Sequence, residues 1–149
     1  MRLTEPAFWN ETPLGRRLRW AFVVPGAAAA ALLSTLVLRF LILQNVGPDD
    51  VIVQTDAEGL RRIEWWLGPF AHALALVWAG AYIAPAHRFA TGMALAGVWV
   101  GVLLTLLVLS HTGALAIEPG PPLRAVLSAA GALVGVWAAK VLDRTNELT

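Results

Sequence analysis

The sequence predicts an all-α membrane protein: a bundle of four transmembrane helices with a short amphipathic helix on the outer surface. Hydrophobic residues make up 58% of the 149 residues and charged residues only 14%, whereas soluble domains have about 45–50% and about 25%. Four apolar stretches are each close to the ~20 residues with which a helix crosses a bilayer. None of them alternates polar and apolar residues as a strand of a membrane barrel does. We therefore treat residues 1–149 as a single membrane domain.

The first span is predicted at residues 20–43. Its apolar run is longer than the ~7–15 residues in the core of a signal peptide, so we expect a retained anchor. A cleaved signal peptide is the alternative, because the basic segment GRRLRW precedes the run. Thr12 followed by Pro13 is typical of an N-cap with proline at the first helical position. The first helix is therefore expected to begin before the span does.

A short amphipathic helix is predicted next, at residues 56–67. Thr55 and Glu58 form a capping-box pattern, in which each side chain can accept a hydrogen bond from a free backbone N–H at the helix start. Apolar side chains then repeat every three to four residues on one face: Leu60, Ile63 and Leu67. A helix of this kind, with tryptophans at its end, is expected to lie in the plane of the membrane surface.

Gly68 and Pro69 are predicted to form a hinge after the amphipathic helix. Proline cannot donate the helical N–H and disfavours a helical residue before it, so the chain is expected to change direction here. The second span, at residues 65–84, would then descend from the outer surface. The alternative is one continuous kinked helix that projects outward.

The third and fourth spans are predicted at residues 90–110 and 123–142. Pro85 ends the second helix, and the short segment APAHR makes the second and third spans an antiparallel hairpin. The segment EPGPP, at residues 118–122, is a stiff turn before the fourth span.

The distribution of basic residues predicts a bacterial cytoplasmic (inner) membrane protein with both termini in the cytoplasm. Cytoplasmic loops carry an excess of lysine and arginine. Seven basic residues fall on the side of the termini: Arg2, Arg16, Arg17, Arg19, Arg88, Lys140 and Arg144. Four fall on the other side: Arg39, Arg61, Arg62 and Arg124.

Small residues at helical spacing predict close helix packing, because lipid removes the hydrophobic drive between helices. The third span carries Gly97 and Gly101, and the fourth carries Gly131 and Gly135. The second span has a stripe of alanines: Ala71, Ala75 and Ala79. These patterns fit packing within one chain, and they also allow one small face to receive a partner or a second copy.

Polar residues inside a membrane are candidates for function, because an unpaired charge there is costly. Arg39 lies near the outer boundary, and Glu64 is predicted on the same side. His72 lies about 10 Å below the outer edge, and His111 ends the third span. A structural ion pair or an interhelical hydrogen bond is one interpretation of these residues, and a ligand or ion site is the other.

We expect neither a cofactor, a metal nor an enzymatic activity. The chain has no cysteine and no metal-ligand spacing. His72 and His111 are offset by about 10 Å in predicted depth, whereas haem ligation needs both rings at one depth. No catalytic motif and no phosphate-binding loop is present. The net charge of +1, with dispersed basic residues, indicates no nucleic-acid partner.

The middle third of the chain resembles a group of small bacterial four-helix membrane proteins without an assigned activity. In these proteins an outer segment leads into a second span that starts with a histidine, and the pattern AP-x-H closes the following hairpin. The residues that carry the resemblance here are Pro69, His72, Pro85 and His87. The resemblance implies the same bundle fold and implies no activity.

The sequence is compatible with three functions. The first is a non-catalytic accessory or assembly subunit, whose partners are membrane lipids and other membrane subunits or itself. The second is a small oligomeric transporter or channel, with Arg39 and His72 in an outward vestibule. The third is an intramembrane enzyme acting on lipid or quinone, with His72 or His111 as the base.

Overall fold

The structure, a computed structural model, describes residues 12–45, 57–112 and 122–147. Its four helices are α1 (Pro13–Asn45), α2 (Ala57–Ile83), α3 (Arg88–His111) and α4 (Pro122–Glu147). Within these ranges the regular structure is entirely helical. Each helix is long and apolar enough to cross a membrane, so the class of multi-pass helical membrane protein is confirmed.

The start of α1 is as predicted. The hydroxyl oxygen Oγ1 of Thr12 accepts a hydrogen bond from the backbone N–H of Gly15 at 3.0 Å. Pro13 occupies the first helical position, where its missing N–H has no intrahelical acceptor. Thr12 is therefore the N-cap of α1.

The predicted in-plane helix at residues 56–67 is not a separate element, because α2 is one helix that continues through Gly68 and Pro69. The two residues are not a break between helices. A proline inside a helix removes the N–H that would bond the carbonyl four residues earlier, here that of Trp65. Membrane helices tolerate this loss. The predicted capping box of Thr55 and Glu58 lies outside the described residues and side chains.

Contacts with α1 explain why the chain does not turn at this point. The carboxylate of Glu64, five residues before Pro69, is paired with Arg39 of α1. This pair holds the first turns of α2 alongside α1. Of the alternative, a continuous kinked helix that projects outward, the continuity is confirmed.

α2 is the central helix of the bundle. It packs against α1 on one side and against α3 and α4 on the other, and α3 also packs against α4. Among the described residues, α1 packs on α2 alone. We call the end where α1 begins and α4 ends the terminal end. The opposite end, where α1 ends and α4 begins, is the far end.

The core between α2, α3 and α4 is built from small side chains. The largest fully buried ones are Val77 and Ser128. The buried cluster around Val77 consists of one further valine and alanines: Ala73, Ala96, Ala132 and Val136. Small side chains let the helix backbones approach closely, which maximises van der Waals contact where lipid offers no hydrophobic drive.

A short turn at the terminal end connects α2 and α3. Its His87 lies in the left-handed region at φ 53°, a conformation that is uncommon outside glycine, asparagine, aspartate and histidine. The carboxylate of Asp143 on α4 accepts a hydrogen bond from the backbone N–H of Phe89 at 2.8 Å. α4 therefore helps to fix the start of α3.

Candidate functional site

The two ends of the antiparallel pair α1 and α2 are fixed by arginines of α1. At the terminal end, Nε of Arg19 donates to the carbonyl of Ile83 at 2.9 Å, and its Nη2 donates to that of Ala84 at 3.2 Å. At the far end, Arg39 is paired with Glu64. Both contacts together set the register of the two helices.

Arg39 and Glu64 form a two-point ion pair. Nε of Arg39 donates to Oε1 of Glu64, and Nη2 donates to Oε2 at 3.0 Å. The parallel geometry suits the planar guanidinium and the carboxylate. The Glu64 side chain is 15% exposed and that of Arg39 is 56% exposed. The carboxylate is therefore the enclosed member, and the arginine neutralises it.

His72 lies two helical turns beyond Glu64 on α2 and contacts Thr35, which lies one turn before Arg39 on α1. Nε2 of His72 and Oγ1 of Thr35 are 2.7 Å apart, a hydrogen bond whose direction depends on the tautomer of the imidazole. The interface between α1 and α2 therefore carries the ion pair near the far end and this hydrogen bond deeper in the bundle.

A cleft opens between the ion pair and the histidine. It is lined by Ser34, Thr35, Leu38, Glu64, Gly68, Ala71 and His72. Its volume is about 30 Å³, which accommodates about two water molecules at 10–15 Å³ each. Pockets for organic ligands measure about 300–1,000 Å³. The cleft can therefore hydrate His72, and it is too small for an organic substrate.

His111 is not brought to this cleft. It lies exposed at the far end of α3, and the described residues provide no hydrogen-bond partner for its side chain. The same part of the chain contains no group of three histidine, aspartate or glutamate side chains that could hold a metal ion.

Gly131 and Gly135 lie on the face of α4 that packs against α2. A Cβ atom at Gly131 would lie 2.9 Å from the carbonyl carbon of Phe70, and one at Gly135 would lie 2.8 Å from Cβ of Val77. Both distances are shorter than real Cβ contacts. Only glycine therefore permits this approach of α4 to α2.

Gly97 and Gly101 point away from the bundle. A Cβ atom at either position would meet no atom within 4 Å in the structure. Of the two glycine pairs, the one on α4 therefore packs inside the chain and the one on α3 does not. The α2 alanines Ala71, Ala75 and Ala79 are each half-buried, and Ala71 lines the cleft.

The partners in three contacts were not predicted from the sequence. One is the contact of Arg19 with the end of α2. The second is a hydrogen bond between α3 and α4, in which Nε1 of Trp99 donates to Oγ of Ser128 at 2.8 Å. The third is the stacking of Arg124 on Trp65. For Arg19 a signal existed, because a cation that faces the C-terminus of an antiparallel neighbour is favoured.

Comparison with known proteins gave no match to a family model, to a curated protein or to a solved structure. The functional interpretation therefore depends on the geometry of this chain.

Proposed function

We propose that this protein is a non-catalytic accessory or assembly subunit of a larger membrane complex and that α3 is the helix that joins it to its partner. We further propose that it resides in a bacterial cytoplasmic membrane with both termini in the cytoplasm. The excess of basic residues on the terminal side supports this orientation.

The observation that carries the proposal is an outward stripe of small residues on α3. Gly97 and Gly101 form its centre, where a Cβ would have open space. Further small residues at spacings of three or four extend the stripe in both directions, and all are exposed: Ala90, Ala94 and Thr105. The stripe covers about 22 Å of helix at 1.5 Å per residue.

Small residues are unusual on a surface that only meets lipid. Most outward positions of α1 and α4 instead carry large apolar side chains, such as Leu32 and Leu133, which are 76% and 69% exposed. A small stripe forms a shallow groove in which a second helix can approach closely. Gly131 and Gly135 on α4 already form such a close helix contact within the chain, against α2.

The stripe also lacks charge. Its one polar side chain, Thr105, donates its hydroxyl hydrogen bond to the carbonyl of Gly101 in the same helix at 2.8 Å. The partner surface is therefore expected to be apolar and closely packed, not ionic. This fits a permanent subunit contact between transmembrane helices.

Gly97→Leu and Gly101→Leu are expected to release the partner while the chain itself stays folded. The measurement is the native mass of the tagged protein, extracted gently from its own membrane at native expression. We expect a heavier species with foreign subunits for the wild type and the isolated chain for each variant. The matched control is Val98→Leu, at an exposed position beside the stripe.

A complex that survives both glycine substitutions would contradict the proposed α3 contact. A wild type that carries no foreign subunit would contradict the accessory role.

The cleft between α1 and α2 favours a second candidate, a small oligomeric transporter or channel. A hydrated histidine below an ion pair is a suitable entry for protons or small ions, and one copy encloses too little space for a pore. If this function holds, His72→Ala and Arg39→Ala should each reduce ion flux into liposomes. His111→Ala is the control, because His111 lies outside the cleft. Wild-type protein without flux would eliminate this candidate.

A further inference from the structure

Three arginines at the far end of the bundle, Arg39, Arg62 and Arg124, differ in how their charge is compensated. Arg39 has its carboxylate partner, Glu64. Arg62 is exposed, so water and lipid headgroups can solvate it. Arg124, in the first turn of α4, is half-buried and has no carboxylate partner among the described residues.

Arg124 is held in one orientation by Trp65 of α2. The guanidinium carbon lies 4.4 Å from the centroid of the indole ring, within the range of a cation–π contact. The other two such contacts are at the terminal end and are longer, with Arg88 5.8 Å from Tyr82 and Lys140 6.0 Å from Phe89. Arg124 is therefore the most closely stacked cation of the described residues.

One donor of Arg124 has no acceptor. Its Nε is enclosed by protein and makes no hydrogen bond. Water cannot reach this atom, so the charge has to be compensated through the terminal nitrogens of the group. The first turn of α4 contains no acidic residue, and its free N–H groups add positive character at the same place. No carboxylate of the described residues compensates this charge, which leaves the group open to an anion supplied by the membrane.

We propose that Arg124, stacked on Trp65, binds the phosphate of an anionic phospholipid at the far end of the bundle. A guanidinium presents its terminal N–H groups as a fork that matches two phosphate oxygens. Trp65 and its neighbour Trp66 stand edge to face with ring centroids 4.9 Å apart. Such amphipathic rings are favoured at the depth of lipid headgroups. The site is therefore expected at the depth of the phospholipid phosphates.

The expected ligand has a net negative charge. A zwitterionic headgroup brings its own cation, which competes with Arg124 for the same phosphate and is repelled by the N-terminus of α4. Phosphatidylglycerol has no such cation. This site is separate from the α3 stripe, so it holds whether or not α3 binds a partner.

The experiment is native mass spectrometry of the delipidated full chain in detergent. Phosphatidylglycerol and phosphatidylcholine are titrated separately, and inorganic phosphate is added as a competitor. We expect phosphatidylglycerol to bind roughly tenfold more tightly than phosphatidylcholine, and Arg124→Gln to remove this preference. Arg62→Gln is the matched control, with the same loss of charge at the same end and no expected effect.

Three results would overturn the proposal. They are equal affinity for the two lipids, an unchanged preference in Arg124→Gln, and displacement of the lipid by millimolar inorganic phosphate, which would indicate a site for free phosphate. If Arg124→Gln does not give a folded chain by circular dichroism and gel filtration, Arg124→Lys replaces it. Lysine keeps the charge without the planar fork and is expected to lose part of the preference. An unchanged preference in that variant would equally contradict the proposal.

Discussion

Replacing Gly131 by valine is expected to destabilise the bundle strongly. A Cβ at this position would meet the backbone of Phe70, with the carbonyl carbon at 2.9 Å and Cα at 3.0 Å. A flexible side chain could rotate away, but the backbone of the central helix cannot. Accommodating valine requires α4 to move away from α2, and overpacking of this kind costs about 1–3 kcal/mol.

The displacement would extend beyond Gly131. Gly135 packs one turn further along the same contact, where a Cβ atom would lie 3.2 Å from the carbonyl oxygen of Leu74. The core residues Ala132 and Val136 lie on the same part of α4 and would lose contact with α2. The free energy of unfolding, measured for the isolated chain in mixed detergent micelles, should therefore fall by the upper part of that range or more.

Gly97→Val is the matched control for this prediction. It introduces the same side chain into a transmembrane helix, at a position with no atom within 4 Å. We expect its free energy of unfolding to equal that of the wild type or to exceed it slightly, because valine has the higher helix propensity. Equal losses in both variants would show that the α2–α4 contact is not the one described.

Arg19→Gln is expected to destabilise the bundle somewhat less than Gly131→Val. The guanidinium donates to the carbonyls of Ile83 and Ala84, and its Nη2 also lies 3.5 Å from that of Tyr82. These are carbonyls from the last turn of α2 and the residue after it, and they lack partners within the helix. Hydrogen bonds to a charged group contribute about 1.5–3 kcal/mol. Glutamine keeps one short amide donor, so we expect the free energy of unfolding to fall by roughly 1–2 kcal/mol.

Arg17→Gln separates this effect from a simple loss of charge. Arg17 is exposed on the same helix, two residues away, and its side chain makes none of these contacts with the end of α2. Its substitution should leave the unfolding free energy within about 0.5 kcal/mol of the wild type. If both variants lose the same amount, Arg19 acts through charge alone and does not cap α2.

The sequence predicts the local features of this protein better than its long-range features. The four spans and the N-cap at Thr12 depend on properties that a few neighbouring residues determine. An apolar run of about 20 residues has to cross the bilayer as a helix whatever its neighbours are. Threonine before Pro13 caps a helix by bonding a backbone N–H three residues away. These features could be predicted.

The members of the candidate site could be predicted only in part, since His111 lies outside the cleft. Arg39, Glu64 and His72 are conspicuous in an apolar sequence, and their spacing along each helix places them near one end of the bundle. Their pairing depends on the register of α1 against α2. That register is set in part by Arg19, more than 60 residues from its acceptors along the chain. No local pattern contains this information.

The sequence by itself determined the class of the protein, the number of spans and the sites where close packing is possible. The tertiary structure alone decided that α2 continues through Pro69, that Gly131 and Gly135 face inward, and that Gly97 and Gly101 face outward. The physical reason is that transmembrane helices are apolar all around, so hydropathy does not mark the buried face as it does in water. The same spacing of glycines therefore occurs on both helices, and only packing distinguishes the contact made within the chain from the one left open.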